Sequence, residues 1–260
     1  MLRFSANLST LFQELPLAAR FEAAARAGFD AVEMWFPYEI PAPQMRALLE
    51  AHGQRCVGIN TLAGDARRGD WGLAADPARR DAFDASVEQA FNYAQAIGCP
   101  NVHVLAGQIE PGAPFQPAWD HYLHCLGAAA DRAAARNLTV IIEPLNRLDR
   151  PRYLLNTQAQ ALEALAVLNR ANLKIMLDLY HVQRGEGNLI ERLRVSLPHA
   201  AHVQIADNPG RHEPGTGEIR FDSVFAEIAS SGYAGWIGCE YLPSGPTVES
   251  FGWLEATRAA

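Results

Sequence analysis

The sequence predicts an α/β protein built as one closed (β/α)8 barrel over residues 1–260, on three observations. Eight short runs rich in β-branched or aromatic residues alternate with Ala/Leu/Glu/Arg-rich stretches. The repeat averages about 32 residues, close to the size of a βα unit. No Ser/Gly linker, composition break or low-complexity run divides the 260 residues, which favours a single domain. A doubly wound open sheet is the competing arrangement, because alternation by itself does not establish closure.

In chain order, a strand at 3–8 (RFSANL) precedes a helix at 17–28, and a strand at 31–36 (AVEMWF) precedes a helix at 43–53. Strands at 55–60 (RCVGIN), 101–107 (NVHVLAG) and 139–145 (TVIIEPL) lead to helices at 81–98, 118–137 and 157–169. Strands at 173–181 (LKIMLDLYH), 201–207 (AHVQIAD) and 236–242 (WIGCEYL) lead to shorter helices at 188–196, 222–230 and 247–259. The helical stretches repeat apolar residues at three- and four-residue spacing, and several end at Gly or Asn, which suits a helix terminus. The long irregular segments 61–77, 108–117 and 208–220 follow strands three, four and seven. In a barrel all three rise from the carboxyl-terminal face, where active sites of this fold are built.

Composition narrows the function classes. The chain is 49% hydrophobic and 20% charged, and its formal charge of −7 argues against broad nucleic-acid or anionic-membrane binding. Cys56, Cys99, Cys125 and Cys239 are widely separated and form neither a CxxC pair nor a disulfide framework. The amino-terminal residues have no continuous signal-peptide core, and no apolar run is long enough to span a membrane. The expectation is a soluble protein of a reducing cytoplasm, with no nucleic-acid or membrane partner. Ala-rich helix faces leave room for a homo-oligomer.

Late in four successive strands an apolar run ends in an oxygen-bearing side chain: Glu143, Asp178, Gln204 and Glu240. Any one of them alone reads as a solvent-facing residue paired with Arg or Lys. A carboxylate placed there is costly to bury without a cation, hydrogen bonds or water. In a closed barrel strands five to eight are neighbours, so the four groups converge into an all-oxygen site suited to Mg²⁺ or Mn²⁺, with zinc still open. His181, three residues after Asp178, is a candidate to orient a substrate oxygen, and also reads as a structural histidine. Arg211 and His212, after strand seven, are candidates to hold an anionic substrate group. His121 and His124 share a helix face with no third ligand nearby and read as surface or packing residues. The EPGTGE stretch lacks the GK[ST] of a phosphate-binding loop.

Through RFSANLSTLF, GFDAVEMWFPY, IIEPLN, LDLYHVQR, HVQIADNPGRHEPGTGEI and GWIGCEY, the chain resembles the hydroxypyruvate isomerase family of the xylose-isomerase-like TIM-barrel superfamily, nearly end to end. The resemblance implies an aldose–ketose type isomerisation of a small anionic 2-oxo acid or sugar acid. Glu143 and Glu240 match the family's two proton-transferring glutamates. With Asp178 and Gln204 they match its divalent-metal positions, and His181 matches a substrate-contacting histidine. Related sugar epimerases have His where this chain has Gln204, and an amide is a weaker ligand than imidazole. The implied chemistry is proton transfer through an enediolate assisted by a divalent cation, with a hydride shift as the competing path. Isomerisation of 2-oxo-tetronate, or 3-epimerisation of a longer sugar acid or ketose, would use the same two glutamates. From other classes, an endonuclease IV-like nuclease would need a His-rich multi-zinc cluster and a basic face, and a non-catalytic sugar-binding barrel would use the acids for recognition alone.

Overall fold

The computed structural model describes residues 2–259, excluding the side chains of Ala66, Arg258 and Ala259. Eight parallel strands pair in sequence order and close on themselves, β1 with β8. They are β1 (Phe4–Asn7), β2 (Ala31–Met34), β3 (Arg55–Asn60), β4 (Asn101–His103), β5 (Thr139–Ile142), β6 (Leu173–Asp178), β7 (Ala200–Ile205) and β8 (Trp236–Cys239). The closed order excludes the open doubly wound sheet. Around the barrel run α1 (Leu17–Arg26), α2 (Ala42–Ala51), α3 (Arg80–Ile97), α4 (Phe115–Ala134), α5 (Gln158–Leu168), α6 (Leu179–Gly185), α7 (Leu189–Ser196), α8 (Phe221–Ser230) and α9 (Gly252–Ala259). Among the described residues no helix is long and apolar enough to cross a membrane.

Local chemistry explains most boundaries. A capping box opens α5: the Thr157 hydroxyl accepts the Gln160 N–H while the Gln160 side chain accepts the Thr157 N–H. Helix α3 ends where Gly98 takes φ +71, and α5 where Asn169 takes φ +45. The sequence expects a strand through 181, but β6 stops at Asp178. There Asp178 Oδ1 accepts the N–H groups of Tyr180 (2.8 Å) and His181 (3.4 Å), starting α6, so His181 stands on a helix instead of a strand. The β6 to β7 connection therefore carries two helices, α6 and α7. The final expected helix divides into a 3₁₀ segment, Thr247–Phe251, and α9.

Apolar residues of alternate strand positions face the helices. Phe4 of β1, for example, packs edge-on against Phe225 of α8 and Trp253 of α9, with centroids 5.6 and 5.4 Å apart. The four cysteines are buried and none forms a disulfide. Inside, the lumen holds a polar network. Glu33 of β2 reaches His202 (2.5 Å) and Gln204 (2.7 Å) of β7, strands that are not neighbours, so these contacts cross the barrel. Room for them comes from Gly238 of β8: a Cβ there would lie 2.4 Å from Glu33 Oε2.

Gly238→Ala should therefore overpack the lumen and destabilise the protein by about 1–3 kcal/mol, read as a lower urea midpoint, whereas Gly245→Ala meets nothing within 4 Å and should leave it unchanged.

Candidate active site

The site lies at the carboxyl ends of the strands, where part of the polar network opens into a narrow cleft of about 40 Å³ lined by residues including Trp35, Trp71, Glu143, Arg150, His181, Arg211 and Glu240. A larger depression of about 360 Å³, between α7 and α8 near Arg194 and Tyr233, is at the opposite end of the strands and holds none of these groups.

Glu33 is the deepest acid. It accepts hydrogen bonds from Ser5 Oγ (2.9 Å), Asn7 Nδ2 (3.0 Å) and Gln204 Nε2 (2.7 Å), and its Oε2 meets His202 Nε2. Burial opposes its ionisation, but His202, Gln204 and Ser5 outweigh burial and hold its pKa below the ordinary glutamate value. Because Glu33 takes the Gln204 amide nitrogen, Gln204 Oε1 is left buried without a hydrogen-bond partner. Asn7 also bonds Glu240 Oε1 at 3.0 Å, linking this layer to the cleft.

Above it, Glu143 follows β5, Asp178 ends β6 and Glu240 follows β8. Glu240 Oε1 also accepts the Trp35 indole N–H, and its Oε2 accepts Arg211 Nη2 at 2.6 Å. The same Arg211 nitrogen lies 3.5 Å from Asp178 Oδ2. Glu143 Oε1 and Asp178 Oδ2 are buried without hydrogen-bond partners. Glu143, Asp178 and His181 form a trio whose potential ligand atoms all lie within 4.8 Å of one another, with Glu240 outside it. The structure thus gathers three of the expected residues around one point, bridges Asp178 to Glu240 through Arg211, and turns Gln204 toward Glu33.

His181 has a defined tautomer. Its Nδ1 accepts the Asn146 backbone N–H at 3.2 Å, so the ring proton sits on Nε2, which faces Glu143 Oε1 at 3.9 Å and Asp178 Oδ2 at 3.8 Å. Burial, then the Arg211 and Arg150 charges, keep its pKa well below the ordinary value. His181 is a neutral N–H donor with a gap in front of it. On the far side, burial lowers His103, 3.7 Å from Glu143 Oε2, to about 3.

The carboxyl groups respond to being crowded and dry. Burial, reinforced by Glu240 and Asp178, raises Glu143 well above its usual value. Burial also raises Asp178, against the pull of Arg211. Glu240 rises to about 7 through burial, opposed by Arg211 and reinforced by Asp178 and Glu33. One guanidinium faces three acids, so full ionisation of the group is disfavoured unless a further cation joins it.

The loop after β7 holds Arg211. Asp207 collects four backbone N–H groups, from Asn208, Gly215, Gly217 and Ile219, at 2.9–3.0 Å. A Cβ on Gly217 would meet Asn208 O at 2.1 Å, so only glycine fits that crossing. Arg211 itself takes φ +57, and its guanidinium lies 5.0 Å from the Tyr180 ring centroid. His212 turns away, its Nδ1 2.7 Å from the Leu242 carbonyl oxygen, and the helical His121 contacts Cys125 at 3.3 Å while His124 is exposed.

Sequence reasoning passed over Asn7, Glu33, Trp35, Asn146 and Arg150. Glu33 carries the same signal as the chosen acids, a carboxylate inside an apolar strand run (AVEMWF), and was legible on that rule. The others need the tertiary structure.

A family model described as the xylose isomerase-like TIM barrel matches residues 21–257. The chain belongs to this family. It is 39% identical to the hydroxypyruvate isomerase of Escherichia coli over 258 residues, covering 99% of this chain and 100% of the relative. It is 40% identical to the 2-oxo-tetronate isomerase of Pectobacterium atrosepticum over 255 residues, covering 98% and 97%. A solved structure described as an AP endonuclease, family 2, from Brucella melitensis superposes with TM-score 0.95 at 38% identity, covering 98% of this chain and 99% of that one.

The raised Glu240 pKa has a stability consequence in metal-free protein. Between pH 4.5 and about 7 the folded chain keeps a proton that the unfolded chain has released, so this contribution is full below pH 4.5 and is lost as pH rises through 7. Glu240→Gln should gain on the wild type by about 1–3 kcal/mol in unfolding free energy between pH 5 and pH 8, measured by urea titration with chelator present.

Proposed function

We propose that this family member interconverts hydroxypyruvate and tartronate semialdehyde (2-hydroxy-3-oxopropanoate) by moving a proton between adjacent carbons. The observation that carries the reading is the buried pair Glu143 and Glu240, both raised in pKa, lining one cleft with the neutral His181 donor. Two glutamates with raised pKa can divide the roles of acid and base near neutral pH.

One glutamate, ionised, removes a proton from the hydroxyl-bearing C3. The electron pair moves into the C2–C3 bond, and the C2 carbonyl becomes an enediolate oxygen. The other glutamate, protonated, returns a proton to C2, while the hydroxyl proton passes from the C3 oxygen to the C2 oxygen, leaving an aldehyde at C3. His181 Nε2–H faces the region where oxygen charge develops and donates a hydrogen bond there from a neutral ring. Arg211 uses Nη2 on Glu240, while its Nε is buried without a partner and is available to a substrate oxygen.

A divalent cation fits the donor set. Glu143 Oε1, Asp178 Oδ2 and Gln204 Oε1 are all buried oxygens lacking hydrogen bonds, and oxygen donors suit Mg²⁺ or Mn²⁺. Glu240 would join through Oε2 only by sharing it with Arg211. When bound, the ion would stabilise negative charge on the substrate oxygens. Protonated Nε2 makes His181 a substrate donor in preference to a ligand.

The same residues serve a four-carbon 2-oxo acid, a reading favoured by the 38–40% identity to two proteins named 2-oxo-tetronate isomerase. A nuclease is disfavoured by the −7 charge and by a metal-capable trio containing only one histidine.

Hydroxypyruvate and 2-oxo-tetronates, assayed with and without chelator, should be turned over in preference to ketohexoses, with the rate falling on chelation. Glu143→Gln and Glu240→Gln should each lower kcat by about 10²–10⁴-fold while ligand binding, read by calorimetry, survives. Turnover in deuterated water should place solvent deuterium on carbon, and product free of deuterium after a single turnover would refute the proton-transfer route.

A further inference from the structure

The geometry points to Arg150, with its guanidinium over Trp71, as the receptor for the substrate's carboxylate and so as a specificity-determining residue of the cleft. This inference rests on the reading of the substrate as a 2-oxo acid. Arg150 lies in the turn after β5, where its N–H donates to the Asn146 carbonyl (3.0 Å) and its own carbonyl accepts the Tyr153 N–H (3.1 Å). Its guanidinium carbon sits 4.0 Å from the centroid of the Trp71 ring, and both residues line the cleft shared with Glu143, His181, Arg211 and Glu240. Trp71 comes from the long loop after β3 and packs edge-on against Trp35 at 5.8 Å, the residue whose indole N–H holds Glu240. The loop thereby joins the cation to the reacting end of the cleft.

Among the described residues Arg150 has no carboxylate partner. Its neighbour Asp149 is committed elsewhere: Oδ1 accepts from Arg184 Nε (2.9 Å), and Oδ2 from Tyr180 Oη (2.8 Å) and Asn146 Nδ2 (3.1 Å). Arg211 differs, being paired with Glu240 and Asp178. Burial and the charge of Arg211 together pull the Arg150 pKa down, as expected of a half-buried cation whose anion is supplied from outside. A flat aromatic face behind a guanidinium leaves the N–H edge free, and that edge matches a carboxylate in a bidentate fork. A sugar lacking the acid group gains nothing from it.

Arg150→Met and Arg150→Lys test the assignment. With hydroxypyruvate as substrate, Arg150→Met should raise KM by about 10–100-fold and change kcat by less than about threefold, because the lost contact is made in ground state and transition state alike. Arg150→Lys should recover part of the loss through its charge, without the fork. Calorimetry with D-glycerate, an unreactive three-carbon acid, should show the same fall in affinity, and this measurement needs no turnover. Wild-type KM and wild-type glycerate affinity in Arg150→Met would overturn the assignment, as would a loss of kcat at constant KM. Wild-type protein that binds glycerate through Arg150 but turns over no 2-oxo acid would instead overturn the isomerase reading and leave the carboxylate receptor standing. If Arg150→Met fails to fold, Arg150→Lys decides: unchanged KM and glycerate affinity there exclude the fork.

Discussion

The constraint on which the site depends is the burial of four carboxyl groups around one lumen. Glu33, Glu143, Asp178 and Glu240 are all nearly inaccessible to water, and the idealised cost of drying a single carboxylate is of order 20 kcal/mol before compensation. Each group is relieved differently. Glu33 has His202 and three hydrogen bonds, Asp178 has the start of α6, and Glu240 has Asn7, Trp35 and Arg211. Glu143 has the least support, and burial holds its pKa well above the usual value.

This uneven relief prepares the chemistry. A fully satisfied acid such as Glu33 stays ionised and acts as scaffold, orienting Gln204 so that its amide oxygen is free. The other three acids have raised pKa values, Glu240 to about 7, which suits them to hold or exchange a proton. The neutral state of His181 follows from the same surroundings, since burial, the guanidinium groups close by and a backbone N–H on Nδ1 all work against its protonation. The loop after β7 exists in its folded form because Asp207 gathers four amide groups, and that loop delivers the cation the acids require.

Where sequence reading succeeded, the signal was local. Short runs rich in β-branched or aromatic residues located all eight strands, and Arg55–Asn60 matched to the residue. The four oxygen-bearing strand ends were visible because a polar residue inside or just after an apolar run is uncommon. The reading failed at His181, since a side chain capping the next two amides converts LYH from strand to helix, and the hydrophobic pattern does not register a cap. It also passed over Asn7 and Arg150. Asn7 matters because it sits between two acids from β2 and from the end of β8, and Arg150 because an aromatic ring from a loop some 80 residues earlier lies beneath it.

By itself, then, the sequence determined eight alternating strand and helix units, the long loops after strands three, four and seven, and the acids at the strand ends, because residue type along a short run and the placement of charge are properties of neighbouring residues, while closure into a barrel was settled by the strand pairing. The tertiary structure decided which of those acids is scaffold and which is reactive, which ring nitrogen of His181 carries the proton, and which arginine is already paired and which is free. Those properties depend on distances across the lumen and on how much water each group loses. Both are set only when strands far apart in sequence, such as β2 and β7, face each other inside the closed barrel.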